Sequence, residues 1–90
     1  MATQNATITN TWSKIVDTGD SAFLIQSRGD TVYEVAAMAT ETAPTVQGHV
    51  VSGNTGAITR AALGEGHVYA RAISATTALL VVSGSSETLT

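Results

Sequence analysis

The 90-residue chain has no cysteine, one proline and only four aromatic side chains. Without cysteine there is no disulfide scaffold, no thiolate zinc site and no cysteine nucleophile. Charge is scarce as well: charged residues make up 12% of the chain, about half of the ~25% usual in globular proteins. Lys and Arg together number 4 against 7 Asp and Glu, for a net charge of −3. So few cations exclude a chain that grips DNA or RNA through its own basic field, because phosphate binding needs clustered Lys and Arg. No apolar run approaches the ~20 residues of a membrane-spanning helix. The first residues, Met1-Ala2-Thr3-Gln4-Asn5, have neither the basic nor the apolar region of a signal peptide. Neither nucleic acid nor a membrane is expected as a partner.

What the chain does have is Thr (15 residues), Ala (14) and Val (9), with Ser and Gly at 8 each. Thr and Val are β-branched and suit a pleated, half-buried surface. Mean hydropathy is positive, at +0.18, which separates the chain from the highly charged, weakly hydrophobic class of disordered sequences. The expectation is one all-β domain over residues 1–90, with 1–5 as a loose N-terminal arm and 84–90 as a polar tail. A chain of this size buries roughly 60–65% of its unfolded surface, so its single core is small. A surface of hydroxyls and amides has few charges to discourage self-association. A homo-oligomer, or a subunit on a larger assembly, is therefore expected.

Strand-length segments recur every 8–12 residues with turn residues between them. Ala6 to Trp12 alternates, with Ile8 and Trp12 on one face and Thr7, Thr9 and Thr11 on the other; Asn10 interrupts the apolar face. Lys14-Ile15-Val16 continues it, and Asp17-Thr18-Gly19-Asp20 reads as a turn. Ala22 to Gln26 is an apolar run, expected to be covered on both faces, and Thr31 to Ala37 alternates again. These two segments around Arg28-Gly29-Asp30 form the clearest hairpin signal. Further strands are read at His49 to Val51, Ala57 to Arg60, His67 to Ile73 and Ala78 to Ser83, with Ala61 to Gly66 as a connector. The stretch 36–45, ending at Pro44, is read as a loop: Thr40, Thr42 and the lack of caps argue against a helix. Six to eight short strands without crossover helices imply a small antiparallel β-sandwich or barrel. Its expected core is Ile8, Trp12, Ile15, Phe23, Ile25, Val32, Val35, Val50, Ile58, Val68, Ala70, Leu80 and Val82.

No motif assembles a catalytic set. Asp17-Thr18-Gly19 after two apolar residues resembles the catalytic loop of retroviral-type aspartic proteases, where two subunits share a proton between two Asp side chains. Asp20 follows where that family has Ala or Ser, and the tripeptide is read as a turn. Arg28-Gly29-Asp30 has the form of an integrin-binding tripeptide and the composition of a tight turn. His49 and His67 have no carboxylate or second His at ligand spacing. Gly53-Asn54-Thr55-Gly56 and Gly64-Glu65-Gly66 fit neither a P-loop nor a dinucleotide fingerprint. Asn5-Ala6-Thr7 has the form of a glycosylation sequon. Trp12, Tyr33 and Tyr69 are candidates for a sugar-stacking platform, with Tyr33 and Tyr69 beside charged neighbours. No catalytic, cofactor-binding or metal-binding residue is assigned, no cofactor is expected, and the chain is read as a non-enzyme.

Several stretches carry a likeness as a set: Ile8-Thr9-Asn10-Thr11, Phe23 to Ser27, Gly29 to Ala36, Pro44, Gly48-His49-Val50 and Gly66 to Ala72. In layout, over residues 6–83, the chain resembles small β-rich accessory virion proteins of tailed bacteriophages. The likeness carries over no binding site. It implies a structural subunit, assembled in the host cytoplasm and located in the virion, that binds the assembled shell in many copies as a capsid decoration or cement protein. The implied partners are further copies of itself, with a trimer expected, and a major capsid or other virion protein. Alternatives are a tail, neck or baseplate component, or a small carbohydrate- or receptor-binding module on the particle.

Overall fold

The computed structural model describes residues 2–52 and 57–89. Among them are eight strands and one helical turn. The strands are β1 (Thr3–Thr9), β2 (Ser13–Val16), β3 (Leu24–Ser27), β4 (Tyr33–Met38), β5 (His49–Val51), β6 (Ile58–Thr59), β7 (His67–Ala72) and β8 (Thr77–Ser83); α1 (Arg60–Leu63) follows β6 directly. They form two four-stranded antiparallel sheets, ordered β1-β8-β3-β6 and β2-β7-β4-β5, that pack into a sandwich. The expected all-β antiparallel architecture is therefore present, as an open sandwich and not a closed barrel.

The core comes from alternation on both inner faces, broken only at β2, where a register irregularity buries both Ile15 and Val16. The first sheet supplies Ala6 and Ile8, Ala78, Leu80 and Val82, and Ile25; the second supplies Ile15, Tyr33, Val35, Val51, Val68, Ala70 and Ala72. Fully burying a Val, Leu or Ile side chain contributes roughly 1.5–3 kcal/mol, so this cluster is the main source of stability. Four expected core members lie elsewhere. Val50 is 63% exposed, because β5 turns Val51 inward instead. Val32 is half-buried ahead of β4, whose inner face begins at Tyr33. Trp12 is half-buried against Arg71, whose guanidinium sits 4.7 Å from the ring centre. Ile58 is only partly buried on the short β6.

Three expectations about connectivity are corrected. Residues 6–16 are not one interrupted strand. The chain bends at residues 10–11 and enters the other sheet, and Asn10 fastens the corner by donating to the carbonyls of Ala72 and Ala75, both at 2.8 Å. The segments around Arg28-Gly29-Asp30 are not a hairpin, because β3 and β4 belong to opposite sheets. β3 pairs with β8 through Ser27, and Arg28 N–H continues the ladder to Leu79 O at 2.9 Å. An arch lets Ile25 and Val35 each face the core from its own sheet, whereas a hairpin would lay them side by side. The run Ala22 to Gln26 is not covered on both faces, for Leu24 is 39% exposed.

The ends of the chain also differ from expectation. Thr3 to Asn5 are not a loose arm but the start of β1, paired with Ser83, Val82 and Val81. The segment after β8 turns at Gly84 (φ +85°), where a Cβ would lie 2.2 Å from Ala22 O, so only glycine fits. It then runs back over the seam between β1 and β2. Ser85 Oγ donates to Ile15 O at 2.6 Å, Gln4 Nε2 donates to Glu87 O at 2.8 Å, and Leu89 N–H donates to Gln4 Oε1 at 3.0 Å. The connector after β6, read as irregular, contains α1, which has no side-chain cap.

Candidate interaction surface

The two outer sheet faces differ in kind. On the second sheet, Glu34, Ala36 and Tyr69 point away from the core yet are buried. Segment 39–48 covers them. Lys14 Nζ holds Glu41 at 2.6 Å, and Gly48 N–H donates to Glu34 Oε2 at 3.0 Å. Gly48 lies so close that a Cβ there would come within 2.5 Å of Val35 O and 3.0 Å of the Trp12 ring. Glu34 also pairs with Arg71, which stacks on Trp12.

The first sheet has no such cover among the described residues. Its outward positions are Thr3, Asn5, Thr7 and Thr9 on β1, Thr77, Leu79, Val81 and Ser83 on β8, Leu24 and Gln26 on β3, and Thr59 on β6. None carries a charge. Leu79, between Thr7 and Arg28, is 42% exposed, and Leu24, opposite Ser83, is 39% exposed. Thr3 Oγ1 and Ser83 Oγ are 2.8 Å apart and share a cross-strand hydrogen bond. The strand positions of this face are set with hydroxyl, amide and branched apolar groups, which can be covered with little charge desolvation.

The charges are concentrated elsewhere. Lys14, on β2, meets Asp17 at 3.2 Å, Glu41 at 2.6 Å and Glu87 at 3.3 Å. One ammonium thus joins β2, the turn after it, the loop over the second sheet and the C-terminal segment. Its contact with Glu41 is the largest cause of its raised pKa. Asp17 is held below the usual carboxylate range, first by the Gly19 N–H and then by Lys14; Glu41 is lowered by Lys14. His67 Nδ1 is 3.4 Å from Asp17 Oδ1, so His67 does have a carboxylate neighbour, supplied by a distant part of the chain. The sequence signal for this cluster is weak, being only the Lys14–Asp17 spacing.

Arg60 organises the same end of the sandwich. Its Nε and Nη2 donate to Asp20 O at 3.1 and 2.7 Å, Nη2 to Asp17 O at 2.9 Å, and Nη1 to Gly64 O and Gly66 O at 3.1 and 2.8 Å. Asp20 itself is buried and accepts from the N–H groups of Asp17 and Ser86. The Asp17-Thr18-Gly19-Asp20 segment is thus a turn bound by backbone hydrogen bonds. An ionised Asp17 fixed by Gly19 and Lys14 has no proton to donate. Arg60 also borders an open groove of about 500 Å³ with Phe23 and Ala22, but its guanidinium N–H groups already face carbonyls.

Tyr33 and Tyr69 are buried, at 0% and 7% exposure, so they do not form a stacking platform. Arg28, Gly29 and Asp30 are exposed in the arch, with Gly29 N–H bonded to Ser27 Oγ. His49 is exposed on β5. Asn5 is exposed within β1. Gly64-Glu65-Gly66 follows α1, and Gly53-Asn54-Thr55-Gly56 lies outside the described residues. Among the described residues, no three His, Asp or Glu side chains are placed to hold a metal ion. No family model, curated protein or solved structure matches the chain.

Proposed function

We propose that the chain is a non-enzymatic structural subunit of a bacteriophage virion, a decoration or cement protein that binds the assembled shell in many copies. The observation that carries this reading is the contrast between the two outer faces. The second sheet is covered over Glu34, Ala36 and Tyr69 by its own loop and ion pairs, with Val50 exposed on its edge strand; the first is left open, and its strand positions carry no charge. Such a face suits broad contact with a neighbouring protein, since no buried charge has to be stripped of water. The resemblance in layout to accessory virion proteins gives the class of partner. Leu79, the most exposed large apolar side chain on that face, is the residue to change. Leu79→Lys leaves the core untouched and should reduce co-sedimentation with assembled particles at least about ten-fold, as expected for an unpaired charge buried at an interface. Undiminished binding by this variant would remove the first sheet from the reading.

A further inference from the structure

A sandwich of two open sheets has four edge strands, and three of them here are blunted. β5 has three residues and β6 two. β2 carries Lys14 and an irregular register between Lys14 and Val16. Short length, an edge lysine and a bulge are each means by which a sheet edge avoids pairing with another chain. β1 has none of them. It is seven residues long, without charge or proline, and pairs with β8 in unbroken register from Thr3 to Thr9.

The direction of its free groups follows from the ladder. Arg28 N–H binds Leu79 O, so the odd-numbered residues of β8 point their backbone groups toward β3 and the even-numbered ones toward β1. The even-numbered residues of β1 therefore bond to β8. Thr3, Asn5, Thr7 and Thr9 turn their N–H and C=O groups away from the sheet. The C-terminal segment reaches β1 through the Gln4 side chain and makes no backbone hydrogen bond to it among the described residues.

We infer that β1 joins two copies of this chain edge to edge, antiparallel across a two-fold axis at Ala6. Among the described residues, a second β1 is the only edge strand that matches a seven-residue edge. Odd must lie opposite odd, both to pair the outward backbone groups and to keep inner and outer faces continuous. Centring on Ala6 satisfies this and uses the whole strand. Thr3 then faces Thr9 of the second copy, and Asn5 faces its Thr7, pairs suited to cross-strand hydrogen bonding. Eight backbone hydrogen bonds form across the junction, and the two open faces merge into one eight-stranded surface. This deepens the structural-subunit reading by naming its self-contact, and it leads to dimers or assemblies of dimers. A trimer cannot be built on this edge alone.

The test is mass in solution by light scattering, from about 1 µM to about 1 mM, with circular dichroism as the check on folding. The wild-type chain should approach twice 9.2 kDa. The double change Asn5→Lys with Thr7→Lys sets ammonium groups opposite one another and should weaken the pair at least about ten-fold. Asn5→Lys with Thr7→Glu changes the same two sites but sets opposite charges across the junction, and should pair at least as well as wild type. A wild-type monomer throughout, or equal masses for the two variants, would overturn the inference. Because no particle is present, that result would leave the virion reading to be decided by particle binding alone.

Discussion

Tyr33 combines full burial with a hydroxyl that has no partner among the described residues. A buried unpaired hydroxyl costs about 1–3 kcal/mol. Tyr33→Phe keeps the ring in the core and should stabilise the fold by about 1 kcal/mol, read from the urea midpoint. Burial also raises the Tyr33 pKa. Its contribution is therefore intact below the ordinary tyrosine pKa, about 10, and is lost as pH rises from there toward the folded value. The Phe variant should lack that part of the alkaline decline. Arg60 is the opposite case, a side chain whose donors reach four backbone carbonyls. Arg60→Ala should destabilise by about 2–4 kcal/mol. Arg60→Lys should recover less than half of that loss, since one ammonium cannot reproduce the planar fork. Nothing in the sequence marks Arg60, because its acceptors are carbonyls from residues 17 to 66.

At the scale of elements, strand positions were legible and strand partners were not. Period-2 alternation located β1, β4 and β7, and an apolar run located β8, because each has one face in the core. It did not show which sheet each strand joins. The apparent hairpin at Arg28-Gly29-Asp30 and the actual arch need the same turn residues, and they differ only in where β8 lies. Asn10 was the visible clue to the first corner, a polar residue breaking an apolar face, and its amide ties the bend to residues 72 and 75. The candidate surface was legible only as a shortage of charge; its location depends on which face segment 39–48 covers. Lys14 links four such elements, and its effect depends on pH. Asp17 and Glu41 have lowered pKa values in the fold. Their stabilisation is full above the ordinary carboxylate pKa, about 4, and is lost as pH falls through the folded values. Lys14→Met should flatten the acid side of a stability–pH curve measured at low salt. Most of the change should come from Glu41, since Asp17 keeps its Gly19 hydrogen bond.

Across the whole molecule, the few charges are not spread as a solvated coat. Lys14, Asp17, Glu41 and Glu87 meet at one place, Glu34 and Arg71 pair on the covered sheet, and the strand positions of the other sheet carry no charge, with Arg28 just past the end of β3. A free monomer gains nothing from leaving a large neutral face and an unblunted strand edge in water. A subunit bound in many copies to a larger shell uses both. The most direct measurement is quantitative co-sedimentation of the purified protein with assembled particles from the same source, with and without excess free protein. Saturable binding at many copies per particle, weakened at least about ten-fold by Leu79→Lys, is the result this account requires. A folded protein that stays in the supernatant at every concentration would contradict it.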